Sequence, residues 1–338
     1  MIMNRYAVDI DSDVMQENKL YVARDTYLDK KVLIKIFSDN KYIRSDFIQN
    51  FIDVSTVIND IKSKYILKIE NVGGYSSIDK YYYFIVYEYI EGIELPELIK
   101  GNYLHAEAVT NIAIEILKAL ECVNEIDNKI LIDGISNINY HGSLKIQDII
   151  VDKEYNIKIA DFGITAANKG KNIRANGNYR YMSPHQLCVE YTDYESDLFS
   201  FGIILYEMIF KKRPFGEGYD EIDMLNKIDK GPDYKSMTVS KEYNELIEIN
   251  KKLLSRKNKF KNFKEVILEL SNIMYKTSEI EKDLVKKVND IDKKLKEIEE
   301  NENKKKEKEL LENRNEKIKK GVFTILIIML LIRIITLL

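Results

Sequence analysis

Strand-like patterns in this chain are confined to roughly its first 100 residues, and that segregation constrains the fold more than any other feature of the sequence. The runs 31–37 and 81–89 read as strands and lie on either side of one helical stretch, 45–61. Residues 106–126 are apolar at helical spacing on almost every side, as a buried helix requires. Helical patterns at 197–210 and 242–254 follow with no strand pattern between them. Strands first and helices afterwards predict an α+β arrangement with segregated lobes.

The 338 residues suffice for one large or two small domains with a sizeable core. Lys and Arg number 52 against 55 Asp and Glu, so no basic excess points to nucleic acid, and none is expected as a partner. Cys122 and Cys188 stand far apart without partners at metal-ligand spacing, which argues against a disulfide framework and a zinc site. His105, His141 and His185 form no HExxH pattern, so the common metalloprotease reading falls away.

The two ends differ. Residues 1–11 lack the charged and apolar regions of a signal peptide. Residues 322–338 form an apolar run broken only by Arg333 and preceded by Arg314, Lys317, Lys319 and Lys320. Counted from Gly321, the 18 residues make ~27 Å of helix, just short of the ~30 Å bilayer core. Arg333 could snorkel to the far interface. A buried helix is the alternative, but a run apolar on all sides favours a membrane. The basic flank predicts a cytoplasmic body on a single-pass C-terminal anchor. Between 276 and 320 the composition shifts to 15 basic and 13 acidic residues without Gly or Pro. Leu284, Val288, Ile291, Leu295 and Ile298 fall on one stripe at 4-3-4-3 spacing. Two readings stay open for it: homodimerisation through a short coiled coil at 284–298, and a solvated spacer helix.

Several strings occur within this frame in fixed order: Val32-Leu33-Ile34-Lys35, Tyr87-Glu88-Tyr89-Ile90, His141-Gly142-Ser143-Leu144-Lys145 with Asp148, and Asp161-Phe162-Gly163. Tyr181-Met182-Ser183-Pro184 and the segment from Ser196 and Asp197 to Gly202 come after them. Any one string is weak, but the ordered set at this spacing is specific. Over about residues 6–275 the chain resembles the eukaryotic-like Ser/Thr protein kinases of bacteria. The resemblance implies a bilobal protein-kinase-like fold, with a small β-rich N-lobe and hinge at 1–92 and a larger α-helical C-lobe at 93–275. A charged helical linker at 276–320 and a transmembrane helix at 321–338 complete the expected organisation. It further implies ATP and Mg²⁺ as ligands, with Leu33, Lys35, Tyr87, Glu88, Ile90, Ile150 and Asp161 around the nucleotide. Asp148 and Asp161 would hold the metal if Mg²⁺ binds, an ordinary acidic cleft being the equal alternative, Lys145 would be the catalytic-loop lysine, and Ser143 would stand at the base position. Asp197 resembles the helix residue that ties down the catalytic loop.

Departures from the family pattern concentrate on catalysis. No glycine precedes Gly73, so the loop around 13–18 cannot be glycine-rich, and Asp13 and Glu17 put negative charge where phosphates would lie. The helix Glu that pairs the strand lysine aligns with Val54, and Asp53 is about 100° away around the helix. The loop triplet reads His141-Gly142-Ser143, so a hydroxyl replaces the carboxylate base and no cation remains to read a phosphorylated loop. The only hydroxyls in 164–182 are Thr165, Tyr179 and Tyr181. Asn178 replaces a substrate-segment Thr, and Ser183-Pro184-His185 replaces Ala-Pro-Glu, with its Arg partner missing near 259–261. Leu33 and Tyr87, the latter at the gatekeeper position, crowd the adenine site and disfavour ATP. The segment 120–141 is longer than the family pattern, with Asp133-Gly134 suggesting a turn.

These features predict a membrane-anchored pseudokinase acting as a scaffold or regulatory binding module for a cytoplasmic protein. An active divergent Ser/Thr kinase is the first alternative, because Lys35, Lys145, Asp148 and Asp161 are kept. A passive membrane tether is the second.

Overall fold

Two interleaved side-chain rows on one strand set the layout of the N-terminal lobe. In the computed structural model, which describes residues 5–8, 17, 19–77, 80–101, 104–126, 135, 138–171, 178–189, 192–235, 239–255 and 260–335, that strand is β3. The strands are β1 (Tyr6–Val8), β2 (Leu20–Asp25), β3 (Lys30–Ser38), β4 (Ile69–Ser76) and β5 (Tyr81–Glu88), hydrogen-bonded in the order β1-β2-β3-β5-β4, all antiparallel. Side chains alternate faces along a strand, so Val32, Ile34 and Ile36 join Tyr6, Tyr21, Phe84 and Val86 in a small outer cluster. Leu33 and Phe37 face the other way, into the main core, and Lys35 shares their parity. Helix α1 (Phe47–Asp60) closes that inner face with Phe47, Phe51, Val54 and Ile58. Phe37 and Phe47 meet edge-on at 6.0 Å, and Phe47 and Tyr83 at 5.3 Å, geometries that aromatic rings favour.

The second lobe is helical apart from the small sheet β6-β7-β8 (Ile93–Glu94, Ile149–Val151, Ile157–Ile159). Its helices are α2 (Leu95–Lys100), α3 (Ala106–Asn124), α4 (Ile164–Ala167), α5 (Pro184–Val189), α6 (Tyr194–Phe210), α7 (Glu221–Lys230) and α8 (Asn244–Leu253). Helix α6 is buried from Ser196 to Phe210, so burial all round replaces an amphipathic stripe. The lobes join through backbone: Leu67 N–H donates to Ile159 O at 3.0 Å and Ile159 N–H to Tyr65 O at 2.8 Å. The segregated lobes expected from the strand and helix order, and the bilobal fold that the resemblance implies, are therefore present.

Helix α9 runs Phe263–Ile335, and Phe263, Val266 and Leu270 bury into the helical lobe. The chain divides into two units, Met1–Met274 and Tyr275–Leu338. In the second unit Val288, Ile291, Leu295 and Ile298 are each more than half exposed. Among the described residues no helix is long and apolar enough to cross a membrane. The side chains of 322–338, which carry the expected span, lie outside the described ones.

Candidate functional site

The site is built on a loop held by its backbone. Asp197, in the first turn of α6, accepts the His141 amide at 2.8 Å and the Gly142 amide at 2.8 Å, one on each carboxylate oxygen. His141 Nε2 lies 3.0 Å from Ala160 O, and its ring meets Phe162 edge-on at 4.6 Å. Burial lowers the His141 pKa, so the imidazole is neutral and works as packing and a hydrogen-bonding group. Burial pushes Asp197 up to about 7 against the two amide bonds that favour its charged form.

Glycine at 142 is a steric necessity here. Its φ is +74°, and a Cβ would stand 2.8 Å from Thr165 Cγ2 and from Thr192 Cγ2. The loop carbonyls are capped from outside: Thr165 Oγ1 donates to His141 O at 3.0 Å, and Gln186 Nε2 to Gly142 O at 2.8 Å. Gln186 also bonds Thr192 Oγ1 at 3.0 Å and accepts from Ser183 N–H at 3.0 Å. The sequence reading missed these caps, and the one signal for Gln186 was its place directly after Ser183-Pro184-His185. Ser143 follows, half-buried, its amide 3.4 Å from His141 Nδ1.

A 3-10 turn at Ile146–Asp148 carries the chain into β7, and β8 returns it to Ala160 and Asp161. Lys35 Nζ reaches Asp148 Oδ1 at 2.7 Å and also bonds Asp161 Oδ2. Lys145 Nζ lies 2.5 Å from Asp148 Oδ1 and 3.4 Å from Asp161 Oδ2. The remaining Asp161 oxygen, Oδ1, accepts the Tyr87 hydroxyl at 2.8 Å, and that hydroxyl accepts the Asp161 amide at 3.1 Å. Lys35, Asp148 and Tyr87 are fully buried, and Asp161 is 4% exposed. Two ammonium groups thus face two carboxylates with no net charge. Burial alone would lower Lys35 and raise Asp161. The attraction between them reverses both, leaving Lys35 above and Asp161 well below their ordinary ranges. Burial, then the Asp161 charge, pushes the Tyr87 phenol well above its usual value. Asp148 Oδ2 is buried with no hydrogen-bond partner among the described residues. Asp161 adopts φ +66°, a left-handed backbone of the kind that collects at functional sites.

The remaining sequence-predicted residues divide between the cleft and its margins. Leu33 and Ile150 are buried in the main core. Glu88 takes Lys158 Nζ and the Lys68 amide at 3.2 Å. Ile90 lines a cavity of about 190 Å³ with Tyr65, Glu115 and Ile157. Val54, where a helix Glu was missing, packs on the chain instead: a Cβ added at Gly163 would lie 2.5 Å from Val54 Cγ1, and Asp53 is exposed. Thr165 and Tyr181 are buried, Tyr181 donating to Glu207 Oε2 at 3.2 Å. His185 is 54% exposed and lies 3.4 Å from Asp193 Oδ2. The sequence reading overlooked the buried carboxyl of this region, Glu207, which lies 3.7 Å from Arg213 and is pushed up to about 7 by burial. Among residues 9–18 only Glu17 is described, accepting from Ser38 Oγ at 2.9 Å. The rest of that loop, the turn at 133–134, Gly177 and Lys259 lie outside the described residues.

A strand lysine, a loop lysine and two aspartates gathered beneath a β-rich lobe define a protein kinase domain. The protein kinase domain model matches residues 18–296, and the chain belongs to that family, among the eukaryotic-like Ser/Thr kinases of bacteria. It is similar to serine/threonine-protein kinase PrkC of Bacillus subtilis, 30% identical over 201 residues, 58% of this chain and 29% of that one. A "Probable serine/threonine-protein kinase" of Clostridium acetobutylicum is 28% identical over 283 residues, 81% of this chain and 40% of that one. Another so named, from Clostridium perfringens, is 33% identical over 201 residues, 58% of this chain and 27% of that one. The chain thus spans well under half the length of these relatives.

Proposed function

We propose that this chain is a membrane-anchored pseudokinase, a kinase-fold module that binds a cytoplasmic protein partner instead of phosphorylating it. The observation that carries the reading is the register of the catalytic loop. Asp197 grips the amides of His141 and Gly142, which supports reading the next residue, Ser143, as the one at the seat of the base. A serine hydroxyl does not accept a proton near neutral pH, and loss of a positioned base costs roughly 10²–10⁴-fold in rate. The buried state of Thr165 and Tyr181 supports a module without the usual loop phosphorylation. Kinase relatives make ATP and Mg²⁺ general candidates as ligands, and our reading is that this site disfavours them. The test is phosphate transfer from labelled ATP with Mg²⁺ or Mn²⁺ by the full chain in detergent. No transfer above a Lys35→Ala control is expected, and transfer abolished by Lys35→Ala or Asp161→Ala overturns the reading.

The active divergent kinase remains the second reading because Lys35, Lys145, Asp148 and Asp161 do converge. The same assay decides between them.

The anchor is the apolar run 322–338 behind its basic flank. Membrane fractions resisting carbonate extraction with the full chain, and lost on deleting 321–338, are the expected result. Self-association through 284–298 supplies a second partner. With Val288 and Leu295 at one core position and Leu284, Ile291 and Ile298 at the other, Lys287 and Lys294 flank one side and Asp292 and Glu299 the other. Those flanks attract in a parallel pair and repel in an antiparallel one. Sedimentation of the detergent-solubilised chain should show a dimer that Ile291→Lys with Leu295→Lys reduces to monomer.

A further inference from the structure

We propose that Tyr87 is the residue that shuts this site to a metal-bound nucleotide, its hydroxyl taking the Asp161 oxygen that a metal needs while Lys35 and Lys145 take the facing carboxylate oxygens. The inference rests on reading Lys35, Asp148 and Asp161 as the phosphate and metal end of a kinase cleft, and it adds what keeps that end closed.

Tyr87 pairs with Leu33 across β5 and β3, and its parity along β5 is that of Ile85 and Tyr83 in the main core. Its ring is fully buried, so the phenol cannot turn to water without repacking the core. The hydroxyl is used twice, donating to Asp161 Oδ1 at 2.8 Å and accepting from Asp161 N–H at 3.1 Å. One side chain thereby fixes both the carboxylate and the peptide of the aspartate. Asp161 Oδ2 is bonded to Lys35, with Lys145 at 3.4 Å, and Asp148 Oδ1 accepts both ammonium groups. Of the four carboxylate oxygens, Asp148 Oδ2 alone has no partner among the described residues, one buried oxygen where Mg²⁺ demands a near-octahedral shell of oxygens. The residues in this arrangement therefore do not fit a metal-bound nucleotide.

Opening the cluster carries a charge penalty in either direction. A cation entering between the aspartates must compete with the two ammonium groups, and a phosphate drawing Lys35 away leaves Lys145 alone to neutralise two buried carboxylates. A buried charge left without its partner is strongly destabilising. The latch is also absent from any short-motif description, because the hydroxyl and its acceptor are separated by 74 positions.

The test is an equilibrium titration of the full detergent-solubilised chain with Mg-ATP and Mn-ATP, each against ATP with EDTA, alongside thermal shift. Tyr87→Phe keeps the ring and removes the latch; Tyr87→Thr removes both. The wild type is expected to show no metal-dependent binding at millimolar nucleotide, and Tyr87→Phe to bind Mg-ATP at least about tenfold more tightly than the wild type. Metal-dependent binding by the wild type equal to that of Tyr87→Phe overturns the proposal, as does its absence in both folded variants. Wild-type binding as tight as that of Tyr87→Phe, without phosphate transfer, would sink the latch and leave the pseudokinase reading standing. Transfer by the wild type would sink that reading along with the latch.

Discussion

Two parts of the same loop region differ in how they compare with the family pattern. On the framework side, Asp197 still grips the His141 and Gly142 amides, His141 still packs on Phe162, and Gln186 and Thr165 cap the carbonyls. On the phosphate side, our reading puts Ser143 at the base position and Val54 where the family has a helix carboxylate, and two lysines face two aspartates behind Tyr87. On the pseudokinase reading, the contrast separates the forces that hold the loop from those that would move a phosphoryl group. Backbone hydrogen bonds and packing need only shape, whereas transfer needs a base and open metal oxygens.

If that separation holds, injury to the framework should be severe. Asp197→Ala strips two buried amides of their acceptor, and each orphaned group costs about 1–3 kcal/mol, so a loss of about 2–6 kcal/mol is expected in denaturant unfolding. Restoring the family cation should also fail. Gly142→Arg forces a side chain onto a φ of +74° and against Thr165 and Thr192, for a loss of roughly 2–4 kcal/mol in the same measurement and no gain of activity.

The framework should also impose a pH slope. Glu207 rises from 4.5 to about 7 through burial, so the folded state holds its proton more tightly than the unfolded chain. Its contribution is full below pH 4.5, is lost as pH rises to about 7, and is flat above. Glu207→Gln should remove up to about 1.4 kcal/mol per pH unit of that fall, leaving the share of Asp197, which is likewise raised to about 7. Melting curves from pH 4.5 to 8 check this; an unchanged slope would place Glu207 outside the buried frame. Ser143→Ala should be the mildest change in unfolding stability, within about 0.5 kcal/mol, because the residue is half-buried.

Much of this was readable in advance. The strand at Lys30–Ser38 and the helices Phe47–Asp60, Ala106–Asn124 and Tyr194–Phe210 match runs whose hydrophobic periodicity marked them. Lys35, Asp148 and Asp161 were marked by their place in ordered strings, and the structure brings them together. What stayed hidden was the arrangement among them. Nothing local says that the Lys35 ammonium will bridge both aspartates, that Gln186 will cap Gly142, or that Glu207 will be buried beside Tyr181.

By itself the sequence determined the lobes and the ordered kinase strings, because periodicity and residue type act over a few neighbouring positions. Only the tertiary structure decided that Tyr87 meets Asp161, that Val54 fills the space beside Gly163, and that glycine at 142 is obligatory. Those outcomes depend on which faces of distant strands and helices are pressed together, and close packing settles that for the whole core at once.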